Sequence, residues 1–343
     1  MPLRYFLASP KVLESTGMKR LQRRQFLRLA ASASALPVMS GVASAQAYPS
    51  RPVRLLVGFA PGGGTDVMAR LLQPALSERL GQQIVIENRP GAGTNIATEA
   101  VLNAAPDGYT LLAASLANAG NATLYDNLKF NFLRDIAAVA GIALDPFVLE
   151  VTPSLPVKTI PELIAYAKAY PGKVNMGSGG IGSGNHLTGE MFKIMAGIDL
   201  VHVPYRGAGP AMVDLMGGQV QVMFNTMSAS LQHVRAGKLR ALGVATKTRQ
   251  AALPDVPTVA EFVPGYEASF WTGMAAPKGT PPEIVDKLNK AVNAGLDDPN
   301  VKARLAEWGA TALAGSPADF AKFVADETEK WGKVIRAANI KAE

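Results

Sequence analysis

The sequence predicts an α/β protein of two lobes, each built on a mainly parallel sheet, joined by two hinge strands. Three observations carry this expectation. Short apolar runs alternate with amphipathic helical stretches, glycine-rich loops sit where strands would end and helices begin, and two extended segments read as crossings between lobes. The crossings are Phe147–Pro156 and Ala268–Pro277. A chain that leaves a lobe and returns to it has two hinge strands, which is the mechanical requirement for closing on a ligand.

Val53–Phe59, VRLLVGF, is nearly all apolar, as a strand covered on both faces must be. The loop APGGGTD follows, and then a helix over Asp66–Leu80, in which Met68, Leu71, Leu72, Ala75, Leu76 and Leu80 recur at helical spacing. QIVIENR and GYTLLAAS (Gly108–Ser115) read as the second and third strands. Further strands lie in GKVNMGSG, LVHVPYRG, VQVMFNT and LRALGVAT, the last leading into the loop LPDVPTVAEFVPGYEA. Three helix starts are punctuated by a capping hydroxyl three residues before an acid, with proline in the first turn: Thr159–Glu162, Thr280–Glu283 and Ser316–Asp319.

The formal charge of +7 is concentrated at the N-terminus. The first 45 residues hold seven basic residues and one acid, which leaves 27 basic against 26 acidic over the rest. A body so nearly neutral offers no electrostatic footprint for nucleic acid. From Met18 the order is a basic run, a mild apolar run and small residues at A-x-A spacing, which reads as an export signal over residues 1–47, cleaved near 45–47. Arg23-Arg24-Gln25-Phe26-Leu27-Arg28 resembles the twin-arginine motif, although an ordinary signal with paired arginines has the same look. Residues 1–17 add nothing to such a signal, which makes Met18 an alternative start to Met1. The chain has no cysteine, so disulfides, thiolate metal sites, a cysteine nucleophile and a lipid-modified cysteine are all excluded. The expected mature protein is periplasmic, soluble and not lipid-anchored.

Gly177, Gly179 and Gly182 spell G-x-G-x-x-G, the pattern of a dinucleotide loop. That chemistry also needs an acid at the end of the next strand to hold the ribose. Asp199 has the right separation but precedes LVHVPY, at the wrong end of the sheet. APGGGTD in turn lacks the G-K-[ST] ending of a phosphate loop. What these loops share with PYRGAGPAM and NRPGAGTN is simpler: glycines between a strand and a helix let backbone N–H groups and a helix N-terminus face a small anion. Arg206 is either a bidentate carboxylate clamp or a surface arginine. Asp66 is either a dipole-favoured cap or a group that orders water or accepts from a polar ligand.

His186, His202 and His233 are scattered, so no metal site is expected. Ser178 and His186 suggest a nucleophile and base, but no third group completes them, and no G-x-S-x-G elbow is present. No catalytic residue and no cofactor are expected.

YPSRPVRLLVGFAPGGGTDVMARLL, GQQIVIENRPGAGTNIATEAV, NMGSGGIGSGNHLTGEMF and VPYRGAGPAMVDLMGGQVQVMFNT, together with FWTGMAAPKGTPPEIVDKLNKAV, resemble the extracytoplasmic receptors of tripartite tricarboxylate transporters, the Bug or TctC-like proteins. The resemblance runs over the whole expected mature chain. It implies a type II periplasmic-binding-protein fold with residues 48–148 and 275–343 in lobe one and 149–274 in lobe two. It also implies a small carboxylate held between glycine loops by backbone groups and ordered waters. The positions matching the family's first-lobe contacts are Phe59, Ala60, Pro61, Gly62, Gly63 and Asp66, with Ser115 and Asn118 as additions. Those of the second lobe are Ser178, Gly179, Gly180, Tyr205 and Arg206, with Gly209 behind them. Asn225 stands where the family commonly has aspartate, which removes a negative charge and favours a plain carboxylate over an amino acid. The implied partners are this ligand and integral-membrane transporter subunits, with the receptor a monomer. The rival readings are an exported enzyme acting on a small carboxylate, and a receptor presenting its ligand to a sensor kinase.

Overall fold

A computed structural model describes residues 48–342, so the export-signal reading of residues 1–47 lies outside the described residues. The strands are β1 (Val53–Val57), β2 (Ile84–Asn88), β3 (Thr110–Ser115), β4 (Ile136–Val151), β5 (Asn175–Ser178), β6 (Val201–Pro204), β7 (Val222–Thr226), β8 (Arg240–Val244), β9 (Ser269–Pro277) and β10 (Thr311–Ala312). The helices are α1 (Gly64–Leu80), α2 (Asn95–Leu102), α3 (Leu116–Leu124), α4 (Phe132–Asp135), α5 (Ile160–Ala169) and α6 (Gly184–Ala196), followed by α7 (Ala208–Met216), α8 (Met227–Arg235), α9 (Pro282–Leu296), α10 (Pro299–Glu307) and α11 (Pro317–Ala337). Among them no helix is long and apolar enough to cross a membrane.

One long strand organises the sheet, whose order is β2-β1-β3-β9-β4-β7-β5-β6. From Ile136 to Pro146, β4 pairs antiparallel with β9; from Phe147 to Val151 it pairs with β7 and β8 instead. The change of partner between Pro146 and Phe147 divides the sheet into two halves, one per lobe. At the flanks the pairing is parallel, β2-β1-β3 in the first lobe and β6-β5-β7 in the second. The centre is antiparallel, because β4 leaves the first lobe while β9 returns to it.

Both faces of the sheet are covered. Val53, Leu55 and Val57 point into one apolar cluster and Leu56 into the other. In β4, Phe147, Leu149 and Val151 join the cluster that holds Leu56, and Val148 the opposite one. This is the period of a strand buried on both sides. Two of the three helix caps form: Thr159 accepts from the Glu162 N–H at 3.2 Å, and Ser316 from that of Asp319 at 3.1 Å. Thr280 does not cap. Its hydroxyl donates to the Pro277 carbonyl at 2.7 Å, and α9 starts after Pro281.

Two acids on β4 are fully buried. Asp145 accepts from the backbone N–H of Ser228 at 3.3 Å and from its hydroxyl, tying the crossing point to the start of α8. Burial pushes its carboxyl up to about 7 against these bonds. Glu150 has no full hydrogen bond on either oxygen, and burial pushes it up to about 8, with Ser230 and Asn225 nearby as a partial offset. A carboxyl whose folded pKa is raised stabilises the fold fully below its unfolded value, near 4, and loses that contribution as pH rises towards the folded one. Stability should therefore decline between pH 4 and 8. Glu150→Gln keeps the shape without the charge. In thermal melts it should leave Tm nearly unchanged at pH 5 and raise it by roughly 2–6 °C at pH 8.5; an unchanged pH slope would contradict the assignment.

Candidate functional site

The loop after β1 is fastened from below. Asp66 lies in the first turn of α1 with its side chain buried. Its Oδ2 accepts from the Gly62 N–H at 3.0 Å and from Arg70 Nε at 2.9 Å, and its Oδ1 accepts from Asn88 Nδ2 at 2.9 Å. Asn88 Nδ2 also donates to the Phe59 carbonyl at 3.0 Å. Burial would raise the Asp66 pKa, but the bonds from Arg70, Gly62 and Asn88 outweigh it and hold the carboxyl below its usual range. Asp66 thus shapes the Phe59–Gly63 loop, and both its oxygens already have protein partners.

The facing loops of the second lobe follow β5 and β6. The Gly180 N–H donates to Ser178 Oγ at 3.0 Å, and Ser178 Oγ lies 2.6 Å from His202 Nε2. The Tyr205 hydroxyl donates to Asp214 at 2.6 Å, which turns its polar end away and leaves its ring as a wall. Gly207, with φ of 148°, brings the chain into α7 in a conformation that only glycine adopts readily.

Backbone meets backbone where the lobes touch. The Ala60 N–H donates to the Arg206 carbonyl at 3.1 Å. A Cβ on Gly207 would lie 2.8 Å from the Ala60 nitrogen, and one on Gly209 would collide with the Pro61 carbonyl. Ala60, Pro61 and Gly62 are thus engaged with the opposite lobe. Gly63 and Phe59 line a narrow crevice of about 20 Å³ that runs inward from this contact to Asn185, Thr226 and Phe270.

A larger cleft of about 920 Å³ opens beside the contact. Of the residues anticipated from sequence, Phe59, Gly179, Gly180, Tyr205 and Arg206 line it. Ser115, Asn118, Ser178 and Asn225 do not; all four are buried, and all but the Ser115 hydroxyl bond within the protein. Asn118 joins the Ser115 backbone to Thr94 and Thr98, and the Asn225 Oδ1 accepts from the Thr226 N–H at 3.0 Å. Among the lining features not assigned from sequence are the Pro90–Thr94 loop, Ile181 and Tyr125. The first two lie in glycine loops that the sequence did display, whereas Tyr125, at the end of α3, carries no sequence signal. Ala92 (φ 45°) and Thr94 (φ 82°) hold left-handed conformations beside the cleft, a strain that rigid surroundings must sustain.

Among the described lining residues Arg206 is the only charged one, and no hydrogen bond or ion pair engages its guanidinium. The remainder of the lining is backbone from glycine loops and the faces of Phe59, Ile96, Tyr125, Ile181 and Tyr205. Such a site can hold a small anion by one guanidinium and backbone amides, with apolar walls around its body.

Residues 68–340 match the tripartite tricarboxylate transporter family receptor. The protein BugT of Bordetella pertussis (strain Tohama I) is 40% identical over 301 residues, covering 87% of this chain and 92% of BugT. Among solved structures, the periplasmic binding protein BugD has a TM-score of 0.83 at 35% identity, covering 86% of this chain and 100% of its own. The R. palustris protein Rpa4515, solved with adipate, has a TM-score of 0.83 at 40% identity, covering 86% and 99%. The two-lobed, type II periplasmic-binding-protein-like fold expected from the sequence is the fold observed.

Two substitutions check this geometry. Asp66→Asn places an NH2 group against at least one of the donors that surround the carboxylate, at a cost of about 1–3 kcal/mol. Because the Asp66 pKa is lowered, its contribution is present above the unfolded value near 4 and is lost as pH falls through the folded one. The variant should melt several degrees lower at pH 7, and the gap to wild type should narrow at pH 3. Gly209→Ala should push the lobes apart, because its Cβ meets the Pro61 carbonyl. A larger radius of gyration in small-angle scattering, at a nearly unchanged Tm, is the expected signature; identical scattering curves would contradict the contact.

Proposed function

We propose, from the premise that this chain belongs to the tripartite tricarboxylate transporter receptor family, that it captures a small organic carboxylate in the cleft beside Arg206 and delivers it to integral-membrane transporter subunits. One observation carries the reading: an otherwise uncharged interlobe cleft has a single unpaired guanidinium, framed by glycine-loop backbone from both lobes. A charge-assisted hydrogen bond to a carboxylate contributes about 1.5–3 kcal/mol. A ligand touching both lobes favours the state in which Ala60–Gly63 meets Arg206–Gly209, by its differential affinity for that state.

The lobes that close are taken to be residues 48–146 with 269–343 and residues 147–268, following the change of partner in β4 and the start of β9. Export by the signal read in residues 1–47 would place the mature receptor, acting as a monomer, in the periplasm. A hydrolytic role for Ser178 and His202 has little support: the serine is fully buried, and no carboxylate among the described residues bonds the second histidine nitrogen. The adipate bound by Rpa4515 makes a dicarboxylate the natural first probe.

Calorimetry and thermal shift on the chain from Ala47, against adipate, citrate, benzoate, inorganic phosphate and NAD, test the reading. A carboxylate at 100 times its Kd should stabilise the protein by about 2.7 kcal/mol. Arg206→Gln should weaken it at least tenfold with an unchanged Tm in its absence. Stabilisation by NAD or phosphate alone would overturn the reading.

A further inference from the structure

The cleft wall contributed by Gly179–Ile181 rests on two histidines, His186 and His202, that do not line the cleft themselves. His202, on β6, places Nε2 2.6 Å from Ser178 Oγ, and Ser178 Oγ in turn accepts the Gly180 N–H at 3.0 Å. His186, in the first turn of α6, accepts the Gly182 N–H on Nδ1 at 3.1 Å. The two imidazoles stack with their centroids 3.7 Å apart and their planes 12° from parallel. They therefore act as one slab: His186 holds the Gly182 amide directly, and His202 holds that of Gly180 through the Ser178 hydroxyl.

That alternation has a consequence for the amides between them. Gly180 and Gly182 direct their N–H groups inward to Ser178 and His186, while the Ser183 N–H returns to the Gly180 carbonyl at 3.0 Å. The amides of Gly179 and Ile181 have no partner among the described residues, and both residues line the cleft. With the Gly180 and Gly182 amides held from within, those of Gly179 and Ile181 are the ones this turn leaves for a ligand. Gly180, with φ of 118° and its Cβ position 2.9 Å from the Tyr205 carbonyl, gives the loop the freedom to make this turn but nothing to hold it. The fastening has to come from beneath.

We propose that His186 and His202 are positioning residues for the ligand, holding the 179–182 loop so that the Gly179 and Ile181 amides face a bound carboxylate as a preformed pair of donors. The role requires neutral imidazoles. His186 with Nδ1 unprotonated carries its proton on Nε2, 3.7 Å from Glu190 Oε1. Burial, the neighbouring His202 and Lys193 push His186 down to about 3, and burial and Lys193 push His202 down to about 4. The groups facing the slab are Glu190 and Lys193 on α6, themselves paired at 2.9 Å, and the Ser178 hydroxyl on β5. Ordering the donors before the ligand arrives removes that part of the entropic cost of binding.

The inference rests on the carboxylate reading for its ligand but not for its geometry, so the test has two readouts. The first is amide hydrogen exchange at Gly180 and Gly182 in the free protein; the second is the Kd for adipate. His202→Phe and His186→Phe keep a ring in the stack and remove the acceptor, whereas His202→Gln and His186→Asn place an amide oxygen where the accepting nitrogen stood. Exchange should rise about tenfold at Gly180 in His202→Phe and at Gly182 in His186→Phe, with a matching loss of adipate affinity of about tenfold. The Gln and Asn variants should return both values to within roughly twofold of wild type. Phenylalanine variants that fold with wild-type exchange and affinity would overturn the proposal, as would Gln and Asn variants as impaired as the phenylalanine ones. If the phenylalanine variants do not fold, Ser178→Ala severs the only link from His202 to the Gly180 amide, and unchanged exchange at Gly180 in that variant would overturn the proposal. If wild type binds no carboxylate at all, the functional reading fails by itself, and the exchange rates still decide whether the histidines hold the loop.

Discussion

Two glycine loops from opposite lobes meet backbone against backbone, and the rest of the site is arranged around that contact. Ala60 hydrogen-bonds the Arg206 carbonyl across the gap, and Gly207 and Gly209 supply the approach that side chains would block. Because this edge is filled by main chain, the space left between the lobes lies beside it. There Phe59 and the Pro90–Thr94 loop face Gly179–Ile181 and Arg206. The glycines therefore serve two purposes. Some let the lobes touch, and others present amides to the cleft that the contact leaves open.

Rigid supports under each loop make this economical arrangement workable. In the first lobe a single carboxylate, Asp66, gathers Gly62, Arg70 and Asn88, and Asn88 reaches on to Phe59. In the second, the stacked imidazoles of His186 and His202 do the same for the loop after β5. Neither support adds a charge to the cleft: Asp66 is neutralised by Arg70, and the histidines are kept uncharged by burial. Arg206 is left as the charge a ligand would meet.

Much of the fold was legible because it depends on local patterns. VRLLVGF announces a doubly covered strand by its lack of polar alternation, and Ser316–Asp319 announces a helix start by its cap. The first half of β4 was not legible. Ile136–Leu144 is rich in alanine, a weak strand former, and is held as a strand by pairing with β9, which lies far along the chain. Thr280 failed as a cap for a related reason, since the Pro277 carbonyl competes for its hydroxyl. In the site, the sequence displayed every glycine loop but not the direction in which each faces. Of the Asp66 partners, Gly62 and Arg70 lie only four residues away, but Asn88, which completes the set, lies 22 residues away on β2. Tyr125 was invisible because only the packing of α3 brings it to the cleft. Distance along the chain, more than residue type, marks where the sequence stops informing.

A crystal structure of the mature chain with a bound carboxylate tests the central claim most directly. The account predicts the carboxylate within about 3 Å of the Arg206 guanidinium and of the Gly179 and Ile181 amides, its body against Phe59, with the Ala60–Arg206 bond intact. A carboxylate seated outside this cleft, or one held with the two glycine loops out of contact, would contradict it.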